Sequence, residues 1–360
     1  MKRLIRVLVL IITMIIVFPL VEQYIPSLIE QGRNEEAQPN NQKEVSHKEQ
    51  QLDKQQEGSI NDAYSSSIIK LMGQSEERII EQFGQPVRRD ETSYAYSWWI
   101  YKWADNYMQI GMQDGKVVTV YRIGEDLALP SIETGANFVD VWETFDAKQS
   151  QEVEINNKRG SFQLQLTEQD LKQRPLLHVQ ENIYMQLYFD TLNDALSSVR
   201  LVTDDVLLQH RSYEMYYRGT LPEVTPLSSK DWMEIETNTA QQVFDITNHI
   251  RKRWKQSPLK WDEQVASVAF QHSKDMKQNN YFSHIAQDGN GLKERLEKGE
   301  VRYLSAGENI AAQYPDAPAV VEGWLNSEGH REALLHESYT HLGVGVYRYY
   351  YTQNFIEKRN

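Results

Sequence analysis

Residues 31–59 read QGRNEEAQPNNQKEVSHKEQQLDKQQEGS, in which Val45 and Leu52 are almost the only apolar side chains. A stretch with so little apolar surface to bury cannot offset the entropy lost on ordering, so residues 23–59 are expected to be a solvated tether. The polar part has a coil dimension of ~30 Å if flexible. The tether splits the 360 residues into a short head and a long tail, and the tail must supply every globular part. In the head, Lys2, Arg3 and Arg6 precede fifteen uncharged, mostly apolar residues, 7–21. That order is an export signal. Adding Leu4, Ile5 and a snorkelling Arg6 lengthens the run towards the ~20 residues of a bilayer span. No small-x-small cleavage pattern follows Val21, so residues 1–22 are expected to be an uncleaved membrane anchor with the N-terminus cytoplasmic. A cleaved signal would instead make the chain secreted.

The tail has the composition of a folded chain. Over the whole sequence, apolar residues make up 40% and charged residues 25%, with 20 Tyr, 8 Trp and 10 Phe. Thirty-eight Lys and Arg against 51 Asp and Glu give −13, which repels phosphate backbones, so no nucleic acid partner is expected. There is no cysteine. Disulfides, thiolate zinc sites and cysteine nucleophiles are therefore excluded, and any catalysis must use oxygen or nitrogen groups.

Residues 60–219 carry an internal similarity. After Gly73, Ile79, Ile80 and Phe83 recur at helical spacing; WWIYKW follows, and then an alternating hairpin turning at Asp114-Gly115. After Gly135, Phe145 stands where Phe83 stands after Gly73, and the second Tyr-Met-Gln, at Tyr184, opens another pair of strands. Two helix-plus-antiparallel-sheet units are expected, with a binding or spacer role. Pro222 and Pro226 mark a connector over 220–236. Residues 237–360 hold fifteen basic and fifteen acidic residues and six of the nine histidines, which makes this the region to search for a metal or acid–base site.

Its first helix is expected from Thr239 to about Lys255. The second opens after Asp262, with His272 packed on its apolar face. Tyr281 and Phe282 read as apolar anchors before His284, at the edge of a Gly-rich loop. Glu308 sits among apolar neighbours, a costly placement unless the charge is paired or metal-bound. His330 follows Gly329 at a turn. Two imidazoles and a carboxylate on loops can form an open metal site with one position left for water. Other patterns fail. His336 and His341 are i, i+5, diverging by ~140° on a helix, so they do not make HExxH. Ser67-x-x-Lys70 and Ser257-x-x-Lys260 lack the partner motifs of a serine acyltransferase. His341 reads as the start of an alternating strand in which Gly343 and Gly345 permit close backbone packing.

The ordered motifs NHIRKRW, LKWDEQVASVAFQHSKDM, YFSH, GENIA, WLNSEGHR, HLGVGV and YYTQNF resemble a bacterial CAP domain, the domain named for cysteine-rich secretory proteins, antigen 5 and pathogenesis-related proteins. The half before it, with G-x-S-E-x-x-I and Gly-Gln-Pro at 84–86, is similar to the CAP-associated N-terminal domain of Gram-positive bacteria, and the whole resembles a membrane-anchored Bacillus type. The resemblance implies an α+β chain whose C-terminal domain is an α-β-α sandwich. Its cleft holds two His and two Glu, which in some members bind a divalent cation such as zinc. The matching residues are His284, Glu308 and His330, taken as the metal set. Ser327 occupies the second Glu position, and Glu328 follows as its candidate substitute. Asn248 with Arg251 matches an architectural Asn-x-x-Arg element, and Asn309 and Arg331 are structural neighbours. The expected function is that of a cell-surface protein whose cleft binds an unidentified ligand, partner protein or divalent metal. The alternatives are a metal-dependent hydrolase of peptide or wall material, with Glu308 or Glu328 as general base, and a non-catalytic adhesion module.

Overall fold

The computed structural model describes residues 68–358 except 104, 130–131, 146–149 and 224–225. The anchor and tether readings lie outside the described residues. Among the described residues, no helix is long and apolar enough to cross a membrane.

After a 3-10 turn, Ile68–Leu71, the first unit contains α1 (Glu76–Phe83), β1 (Arg88–Glu91), β2 (Ser97–Trp103), β3 (Asn106–Gln113) and β4 (Lys116–Gly124). The β3–β4 turn falls at Asp114 and Gly115, both at positive φ, as the Asp-Gly pair predicts. The second unit contains α2 (Phe138–Phe145), β5 (Glu152–Asn157), β6 (Gly160–Gln165), α3 (Glu168–Gln173), β7 (Leu176–Gln180), β8 (Ile183–Asp190), β9 (Ala195–Thr203), α4 (Asp204–His210) and β10 (Glu214–Gly219).

The two expected units share one sheet. Seven strands run in the order β1-β2-β3-β4-β9-β8-β7, and β4 pairs antiparallel with β9, Tyr121 opposite Arg200. The physical reason is edge disposal: each unit leaves an unpaired strand edge, and joining the two satisfies both ladders. A three-stranded sheet, β10-β6-β5, stands beside it. One face of the large sheet is covered by α1 and α2, with Ile79, Val141 and Phe145 in a core with Ile110, Val120 and Val199.

The remaining elements are α5 (Ser229–Arg253), β11 (Lys260–Trp261), α6 (Glu263–Gln278), α7 (Leu292–Lys298), β12 (Ala306–Ala312), α8 (Ala317–Leu325), α9 (Glu328–Leu335), β13 (His341–Tyr347) and β14 (Tyr350–Ile356). The first helix starts ten residues earlier than expected, because Ser228 and Asp231 form a capping box that nucleates it inside the expected connector. The sheet order is β11-β13-β14-β12. On one face lies α6; a Cβ at Gly343 or Gly345 would overlap the backbone of Ala266 or Phe270, so these glycines set the helix-to-sheet distance. On the other face, Val243, Ile246 and Ile250 of α5 and Val320, Val321 and Trp324 of α8 pack against Leu342, Val344 and Val346. The α-β-α sandwich is as expected. The same core continues into Trp98, Tyr107 and Tyr121 of the large sheet, so α5 and α8 lie between two sheets.

Candidate functional site

His284 lies in the loop after α6, Glu308 on β12, and His330 on the first turn of α9. Only His284 therefore keeps the loop position expected of all three. Nδ1 of His284 is 2.9 Å from Oε1 of Glu308. An ionised carboxylate can only accept, so the proton is on Nδ1 and Nε2 is the nitrogen left for a ligand. The other oxygen of Glu308 accepts from Arg295 at 2.5 Å, and Arg295 also donates to the carbonyl of His284 at 2.8 Å. One guanidinium thus fixes both the carboxylate and the loop carrying the imidazole. The pairing answers the cost expected for Glu308, whose side chain is only 4% exposed.

His330 turns Nδ1 towards the hydroxyl of Ser327, 2.8 Å away, while its carbonyl accepts from Asn309. Burial, and then the neighbouring His284, hold the His330 imidazole below its ordinary pKa. Ser327 is the N-cap residue of α9 but does not cap a backbone N–H. Glu328 is exposed and forms no bond to the other three residues. Phe282, expected as an anchor, is 54% exposed, and Ile285 is 53% exposed, so the loop that carries His284 also presents two apolar side chains to solvent.

The histidines set aside remain structural. His272 is buried, with Nε2 donating to the carbonyl of Ser283, and burial lowers its pKa. His341 opens β13. Asn248 exchanges bonds with the backbone of Leu259, and Arg251 donates to the carbonyls of Ser257, Leu334 and His336; both are architectural as expected. Arg331 donates to Asp190 of the large sheet.

The donor set does not fit a divalent cation. Among the described residues, no group of three or more His, Asp or Glu side chains is placed to hold one. Both oxygens of Glu308 are engaged, one of them with a fixed positive charge. The sequence reading missed Arg295, and the polar run LKERLEK gives no signal that one of its charges turns inward.

The cysteine-rich secretory protein family model matches residues 244–357, and the CAP-associated N-terminal model matches residues 72–213. The chain is 42% identical over 295 residues to a Bacillus subtilis protein described as the uncharacterized membrane protein YlbC, covering 82% of this chain and 84% of that one. The chain belongs to the cysteine-rich secretory protein family. An extracellular protein containing a SCP domain from Bacillus anthracis superposes with a TM-score of 0.77 at 37% identity, over 90% of this chain and 100% of the other. A cysteine-rich secretory protein from Staphylococcus aureus shares the fold, with a TM-score of 0.73 at 24% identity over 82% and 94%. The matched range of the family model includes the bonded His284–Glu308 pair, His330 and Ser327.

Proposed function

We propose that this is an extracytoplasmic, membrane-tethered CAP-domain protein whose cleft recognises a cell-surface ligand directly, without a resident cation. The observation that carries the reading is Arg295: it neutralises Glu308 and positions His284, leaving Nε2 of His284 free on a loop that also exposes Phe282 and Ile285. A free imidazole nitrogen on a loop that also exposes apolar side chains suits a ligand that carries both a hydrogen-bond donor and apolar groups. Membrane tethering is supported by the basic-then-apolar head and by the name of the Bacillus subtilis relative. An extracellular location is supported by the likeness to the Bacillus anthracis protein, which is described as extracellular.

The hydrolase alternative needs a proton acceptor at Glu308 or Glu328. Glu308 already accepts a bond on each oxygen, and Glu328 is exposed and bonds to neither member of the pair. The test is capture of Bacillus subtilis envelope material by the immobilised chain in the presence of a chelator. Retention by the wild type and loss in His284→Ala is the expected result. Capture abolished by chelator alone, or unaffected by the substitution, overturns the reading.

A further inference from the structure

Where the large-sheet domain meets the CAP domain, their boundary opens into a groove of about 560 Å³, within the ordinary range for small-ligand sites. One wall is α3, Arg174 and residues 210–214; the other is residues 312–315 and α8. Arg174 donates through Nε to Asp170 at 2.7 Å, and its guanidinium lies 5.2 Å from the centroid of Tyr213. No acceptor among the described residues takes its two terminal nitrogens, so the fork is held in place with its open end unfilled. Such an end presents two parallel N–H donors, the geometry that matches a carboxylate.

The groove is also lined by Glu322, a carboxyl in the apolar helix α8 that is only 2% exposed. Its Oε1 accepts from Ser198 at 2.5 Å, Ser197 at 3.1 Å and Tyr121 at 3.3 Å, while Oε2 has no partner. Nδ1 of His210, a buried imidazole lining the same groove, is likewise unpartnered. A buried polar atom left without a partner costs about 1–3 kcal/mol, and a ligand that supplied one to either group would recover that cost. Burial pushes Glu322 up to about 7, only partly offset by its hydroxyl donors, and pushes His210 down to about 3. Perturbed groups gathered in a cleft are a mark of binding sites.

We propose that this interdomain groove binds a short peptidic ligand ending in a free carboxylate. The carboxylate seats on the terminal nitrogens of Arg174, and the ligand's N–H groups face the Glu322 side. A phosphate fits worse, because Asp170, Glu214 and Glu322 line the same groove. The site is separate from the His284 cleft and stands whether or not that cleft binds a ligand.

The test is calorimetry on the full chain in detergent micelles, titrated with alanyl-alanine and with its C-terminal amide. Binding of the acid at one site, at least tenfold weakening for the amide, and at least tenfold weakening in Arg174→Lys are expected; His284→Ala should bind as wild type does. No heat at millimolar dipeptide, equal binding of acid and amide, or loss in His284→Ala overturns the proposal. Should Arg174→Lys unfold, the comparison of acid and amide on the unaltered chain decides alone.

Discussion

Replacing Glu322 with Gln should change how stability depends on pH, by an amount that follows from its burial. The carboxyl is pushed from an ordinary 4.5 up to about 7 because it is enclosed between α8 and the large sheet. Below pH 4.5 it is protonated in both the folded and the unfolded chain, and its favourable neutral state costs nothing. As pH rises towards 7 the unfolded chain ionises first, so the folded state loses stability; above 7 the loss is constant. At about 1.4 kcal/mol per unit, the shift amounts to about 3 kcal/mol. The amide of the Glu322→Gln variant has no charge to acquire. Urea denaturation of both proteins at several pH values between 4 and 8 reads the difference directly, since other titrating groups such as His210 are shared and cancel. The variant should gain about 3 kcal/mol relative to wild type across that interval, whatever its offset at pH 4. Parallel stability curves would refute the reasoning, showing that Glu322 titrates as a solvated carboxyl.

Removing the guanidinium in Arg295→Ala leaves Glu308 buried with only the imidazole as partner and should destabilise the chain by about 3–5 kcal/mol in thermal or urea unfolding; a loss under 1 kcal/mol would refute the pairing. Calorimetry with zinc at neutral pH should detect no stoichiometric binding; one equivalent in wild type, lost in both His284→Ala and His330→Ala, would restore the metal reading. By NMR titration, His330 should titrate below 6.5, and His284→Ala should raise its pKa by removing a like charge, while burial keeps it low; an unchanged value would separate the two imidazoles. Gly345→Ala drives a methyl into the α6 backbone at Phe270 and should cost at least about 1–3 kcal/mol in the same unfolding assay; an unchanged midpoint would mean that α6 can move away from the sheet.

Local elements were legible where one pattern decided them. Asp114-Gly115 gave its hairpin turn, the alternation from His341 gave a strand, and Gly343 and Gly345 gave close packing. The pairing of β4 with β9 was not legible, because spacing within a segment says nothing about which distant edge it meets. The early start of α5 had a signal, Ser228-x-x-Asp231, outweighed by the two prolines upstream of it. The contact between His284 and Glu308 joins two separate motifs, whereas Arg295, which bonds to both, was hidden in a polar helix. Glu322 did have a signal. A single carboxylate within APAVVEGWL is as costly as one within AGENIA, and the rule that singled out Glu308 applies to it equally.

The polar contacts across the domain boundary bear on what the upstream half does. Arg200 on β9 is fully buried and ion-paired at 2.7 Å with Asp316, the N-cap of α8. Asp190 on β8 accepts from Arg331 of α9, and Asp90 on β1 accepts from Gln242 of α5. Asn326 at the end of α8 bonds the backbone at both Phe189 and Thr191. Each of these groups would be left desolvated and unpaired by a partial separation, at several kcal/mol for a buried ion pair. A hinged spacer would place solvated charges there, since its interface must open without that cost. The boundary is therefore a fixed junction, and the groove beside Arg174 and Glu322 is a feature of the assembled pair that neither half can form alone.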